Sequence, residues 1–148
     1  MITLAHAAAQ STSTPSQFFA RWIDHDSWSE WAPDIQWVRL TGPVAEGTRG
    51  VLKPKGGPAA KFVISALVTD REYTDTSKLP GATLVFQHLV SPSPTGADLE
   101  VRVTLDGPLA RLWAAILGKG FASTAPADLE RLVDVVQRNS LASQHAQH

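Results

Sequence analysis

Few side chains in this sequence are equipped for chemistry. His88 stands in register with Leu84, Phe86 and Val90, so strand alternation puts an imidazole on a mostly apolar face. There it can orient a carbonyl or hydroxyl, or act as general acid or base near neutral pH. The plainer reading is a core histidine hydrogen-bonded to a neighbouring backbone group or to Tyr73. Asp24-His25-Asp26 has metal-binding residue types, but three consecutive residues at a helix end point in different directions, so capping and solvation account for them. His145 and His148 can share a helical face, in a polar terminal run expected to fray. Lys53-Pro54-Lys55-Gly56-Gly57-Pro58 lacks the spacing of a phosphate loop and reads as a hairpin turn, and Gly118-Lys119-Gly120 is equally unspecific. There is no Ser-His-Asp order, no Gly-x-Ser-x-Gly elbow and no cysteine to act as nucleophile, disulfide or zinc ligand. The expectation is no metal and no cofactor.

Aromatic residues are more prominent than titratable ones. Trp22, Trp28, Trp31 and Trp37 lie close together in sequence and Trp113 follows much later. Such side chains fill cores or wall cavities, and Trp37 and Trp113 are the better candidates for a cavity, with Phe62 and Phe86 as similar cases.

The elements that must position these residues are readable from periodicity and turn signals. Ile2 to Gln10 reads as a first strand, and Thr14-Pro15-Ser16-Gln17 is a capping box that starts a helix at Pro15. Ser27-Trp28-Ser29-Glu30 repeats that pattern and predicts a second short helix, stopped by Pro33. Six strands follow, roughly 35–41, 50–54, 60–70, 72–77, 83–91 and 97–105, separated by Gly, Pro and Asp turns as in antiparallel hairpins. In the last of them Leu99, Val101, Val103 and Leu105 face one way and Asp98, Glu100, Arg102 and Thr104 the other. A long helix from Pro108 to Arg138 carries two apolar stripes, one through Leu109, Leu112, Trp113, Ile116 and Leu117, the other through Leu129, Leu132, Val133 and Val136. At about 100° per residue these stripes sit roughly 200° apart, which predicts a kink or break near Gly120 to Pro126. One domain over 1–138 and a frayed tail over 139–148 result.

Composition bounds the function. The chain has 148 residues, 43% apolar, with 13 Lys and Arg against 14 Asp and Glu, a net charge of −1. That is one domain with a real core, and without a basic stripe nucleic-acid binding is not expected. No apolar run reaches the ~18 residues of a membrane span. Met1 to Ala9 lacks the basic flank of a secretory signal, so a cytoplasmic location is expected.

The order of these elements, with Trp28-Ser29-Glu30-Trp31-Ala32-Pro33-Asp34, the spacing from Leu40-Thr41-Gly42 to Gly47-Thr48-Arg49-Gly50, Phe86-Gln87-His88-Leu89 and Leu105-Asp106-Gly107-Pro108-Leu109, resembles the SRPBCC (START/Bet v 1-like) superfamily, and within it the polyketide cyclase/dehydrase-like group. The resemblance implies an α+β helix-grip fold: a curved seven-stranded antiparallel sheet wrapped around a long C-terminal helix, with two short helices after the first strand and a hydrophobic cavity. It implies binding of a small lipid- or polyketide-like molecule between sheet and helix, with Trp37, Phe62, Tyr73, Phe86, His88, Val101, Trp113 and Ile116 as the expected contacts. Alternatives are a cyclase or dehydratase with His88, and Tyr73 or Arg39, as its polar groups, and a protein-interaction module. The oligomeric state is left open.

Overall fold

Each hairpin turn marked by Gly, Pro or Asp closes a pair of antiparallel strands. The computed structural model describes residues 1–146, with side chains through Ser140. Its strands are β1 (Ile2–Ser11), β2 (Ile35–Leu40), β3 (Arg49–Pro54), β4 (Ala60–Val68), β5 (Glu72–Leu79), β6 (Ala82–Ser93) and β7 (Gly96–Asp106). They form one seven-stranded sheet in the order β1-β7-β6-β5-β4-β3-β2, every pairing antiparallel. β5 and β6 run longer than expected because their turns are tight. Pro80-Gly81 alone connects β5 to β6, with Gly81 at φ +72°, and pairing of β6 with β7 continues through Pro92 to Ser93 opposite Gly96.

Between β1 and β2 lie α1 (Pro15–Trp22) and a 3-10 helix (His25–Glu30). The capping box of α1 is made as the sequence indicates: the Thr14 hydroxyl accepts from the Gln17 amide and the Gln17 side chain accepts from the Thr14 N–H. The second capping box is not made. The segment is 3-10, starts at His25 rather than Ser27, and the Ser27 hydroxyl donates to the Asp24 carbonyl instead. Trp28 decides this geometry, because its buried indole N–H donates back to the Trp22 carbonyl at 3.1 Å and draws the chain into a tighter turn.

The C-terminal helix α2 (Ala110–Ala146) is unbroken, with Pro126 inside it, and it runs past Arg138. The expected interruption is absent because the first apolar stripe is not buried. Leu112 and Ile116 are 54% and 60% exposed. The residues that dock are Ala110, Ala114, Phe121, Ala125, Leu129, Leu132 and Val136, and these fall on one continuous line of a regular helix. α2 packs along β1 and β7 and reaches β6, covering Leu99, Val101 and Val103, but among the described residues its backbone makes no close approach to β3, β4 or β5.

The core accordingly falls into two clusters. One gathers α1, the 3-10 helix, Phe62, Ile64, Tyr73, Val101 and the later part of α2, and the other gathers Leu84, Val103, Leu105, Ala110 and Ala125, with Phe86, Trp113 and Phe121 packed against it. Among the described residues no helix is long and apolar enough to cross a membrane.

Candidate functional site

Strand alternation on β5 turns Tyr73, Asp75 and Ser77 to the concave face, where they pair across β6 with His88, Phe86 and Leu84. Tyr73 is fully buried and organises two imidazoles. Its carbonyl lies 3.1 Å from His88 Nδ1 and its hydroxyl 2.7 Å from His25 Nε2. The carbonyl can only accept, so His88 Nδ1 carries the proton and Nε2 keeps a lone pair. Burial brings the His88 pKa down to about 4, against a smaller opposing effect of that hydrogen bond, so the ring is neutral at pH 7. Burial lowers His25 as well, opposed by a backbone hydrogen bond with Ile23 and by Asp24 and Asp26. Tyr73 is pushed up by burial and then by the nearby Asp75 charge, which keeps its hydroxyl protonated and able to donate to His25.

For His88 the bond to the Tyr73 backbone is the plainer of the two readings given to it. His25 is not solvated: it is 7% exposed, because the 3-10 turn directs it inward while Asp24 and Asp26 stay in water. Among the described residues no group of three His, Asp or Glu side chains converges as metal ligands. The side chains of His145 and His148 lie outside the described residues.

Aromatic rings enclose the histidines. Trp22, Trp28 and Trp31 have ring centroids 5.6, 6.5 and 6.4 Å from His88, and Trp28 stacks on His25 at 4.7 Å. Phe62 lies under His25, and its ring occupies the space that a side chain at Gly50, its partner on β3, would need. The indole N–H groups of Trp22 and Trp31 are buried without an acceptor among the described residues.

Asp75 was not singled out from the sequence. It is 8% exposed, between Ile64 on β4 and Phe86 on β6, and burial raises its pKa to about 7. Alternation from Tyr73 would have found it. The α2 backbone approaches β1, β7 and β6 but not β4 or β5, whose inward residues Phe62, Ile64 and Tyr73 are buried in the cluster with α1, the 3-10 helix and the later part of α2. Phe86, Trp113 and Phe121 are half-buried along the seam between β6 and α2, with Phe86 edge-on to Phe121 at 5.0 Å and the Trp113 indole donating to the Pro80 carbonyl at 2.9 Å, and Leu117, one turn from each of the two helix residues, is half-buried on the same side of α2.

The expected contact residues therefore divide. Phe62, Tyr73, Phe86, His88, Val101 and Trp113 belong to the concave face or its rim, with Val101 buried beneath α2. Trp37 does not: the register shift between Ile35 and Trp37 gives the inward position to Val38, and Trp37 lies on the outer face under the Arg39 guanidinium, 4.2 Å away. Arg39 is exposed there too, apart from the concave face. Ile116 projects from the side of α2 opposite its buried line.

No family model and no curated protein sequence matches the chain. Solved structures do. The protein NE0264 from Nitrosomonas europaea is similar over 95% of this chain and 97% of its own, with a TM-score of 0.74 at 10% identity. Ara h 8.0201 is similar over 90% and 96%, with a TM-score of 0.63 at 17% identity. The di-domain ARO/CYC StfQ from the steffimycin biosynthetic pathway is similar over 94% of this chain and 52% of its own, with a TM-score of 0.75 at 12% identity. The chain shares the helix-grip fold with these structures.

The outer face of the sheet also carries a depression. This open groove of about 760 Å³ lies among the outward side chains of Ala8, Glu72, Leu89, Asp98 and Glu100, beside Val68. Three carboxylates, Arg71 and apolar side chains line it, where the concave face is aromatic.

Proposed function

We propose that the chain binds a small hydrophobic molecule, of the lipid or polyketide kind, in the cleft between the concave sheet and α2. The observation that carries this reading is the seam between β6 and the first half of α2, where Phe86, Trp113 and Phe121 pack together on inward-facing walls and, with Leu117, stay half-buried. Apolar surface left in water forgoes about 25 cal/mol per Å², which a bound apolar molecule recovers. The likeness to an ARO/CYC protein adds support for the polyketide kind. Native mass spectrometry of the purified protein tests the reading. A co-purified mass of lipid size, or saturable uptake of 1-dodecanol, is the expected result; a protein that stays empty at saturating dodecanol refutes it.

One observation favours a second reading, acid–base catalysis of the cyclase or dehydratase type. Tyr73 joins His25 and His88 by hydrogen bonds, and Asp75 follows it on the same face of β5, its pKa raised by burial to about 7. Turnover of a polyketide-like substrate that falls about a hundredfold in His88→Phe, with binding intact, would favour catalysis over binding alone.

A further inference from the structure

We infer that Asp75 is the polar recognition point of the cleft and that the ligand it selects carries a hydrogen-bond donor, an amine or a hydroxyl, on an otherwise apolar body. The inference rests on the cleft being a hydrophobic-ligand site and adds the chemistry of the group recognised there.

Three observations converge on this residue. Aspartate is disfavoured within strands, and this one sits mid-strand on the buried face, where an ionised carboxyl is expensive to keep. Its polar neighbours are paired: Tyr73 with His25, and His88 with the Tyr73 carbonyl. Asp75 has neither a hydrogen bond nor an ion pair from any described residue, and burial alone accounts for its raised pKa. Finally, its cross-strand neighbours are Ile64 of one core cluster and Phe86, the half-buried ring packed against the other, so the carboxyl lies between the two clusters beside a part-exposed aromatic wall.

An unpaired carboxylate on an apolar wall is complementary to a donor. An ammonium group would make a charge-assisted bond with it and a hydroxyl a neutral-to-charged one, whereas a ligand carboxylate would bring like charges together in a medium that screens them poorly. The order of affinity for one chain length is therefore amine, then alcohol, then acid.

The test uses dodecylamine, 1-dodecanol and dodecanoate below their aggregation limits at pH 8, with tryptophan fluorescence as the readout. In the unaltered protein the amine is expected to bind at least about tenfold more tightly than the acid, and Asp75→Asn to bring the two within about threefold. Equal binding of all three in the unaltered protein, or an order unchanged in Asp75→Asn, overturns the role of Asp75 and leaves the hydrophobic site standing. Failure of all three to bind overturns the hydrophobic site and this inference with it. Should Asp75→Asn fail to fold, the comparison of amine with acid in the unaltered protein decides alone.

Discussion

Replacing Asp75 with Asn should make the protein more stable, by an amount that depends on pH in one direction. Burial raises this carboxyl from 3.8 to about 7. Between those values the folded protein holds a proton that the unfolded chain has released, so stability falls as pH rises through the window and the penalty is complete above pH 7. At about 1.4 kcal/mol per unit the shift corresponds to a penalty on the order of 4 kcal/mol. Asn titrates in neither state. The stability difference between Asp75→Asn and the native chain should therefore be small and flat below pH 4 and grow to about 4 kcal/mol in favour of the variant by pH 8. His88 acts oppositely in both proteins, so taking the difference removes it. Urea denaturation followed by tryptophan fluorescence, in half-unit steps of pH, measures the curve. A difference that stays flat, or that shrinks as pH rises, would refute the placement of Asp75 as a buried, unpaired acid.

Other substitutions probe the same cluster. His88, lowered from 6.5 to about 4 by burial, binds fewer protons in the folded than in the unfolded state across that window. Its contribution thus rises with pH by about 3 kcal/mol, and denaturation of His88→Phe over pH 4 to 7 should show that component missing. Tyr73→Phe removes the hydroxyl that donates to His25 Nε2 at 2.7 Å and leaves that nitrogen buried without its donor, so it should cost about 1–3 kcal/mol by chemical denaturation. Trp113→Ala loses a half-buried indole and its bond to the Pro80 carbonyl; a cost of about 2–3 kcal/mol is expected, together with altered dodecanol affinity, and a stability loss with unchanged affinity would remove Trp113 from the cleft.

The strands were legible because Gly, Pro and Asp mark their turns and because β7 alternates cleanly. The path of α2 was not. Its first stripe was chosen by residue size, through Leu112 and Ile116, whereas the contact line runs through Ala110, Ala114 and Ala125 against the alanines of β1. Small residues permit close approach, and periodicity weighted by hydrophobicity passes over them. Trp37 was misplaced by a register shift that local sequence does not reveal. His25 was hidden by two flanking aspartates that are themselves exposed. Asp75 was hidden differently: Glu72-Tyr73-Thr74-Asp75-Thr76-Ser77 reads as a polar strand, and only alternation from Tyr73 shows that its carboxyl faces the core. Two of the site's four polar residues, His25 and Asp75, thus lay in segments whose composition looks solvent-facing.

Ligand binding in the concave cleft is tested most directly by mapping where an apolar molecule docks. In a two-dimensional NMR titration with 1-dodecanol, the largest saturable shifts should fall on Asp75, Phe86, Trp113, Leu117 and Phe121, while Ala8, Leu89 and Asp98 on the outer groove stay unmoved. Saturable shifts confined to the outer groove would contradict the account.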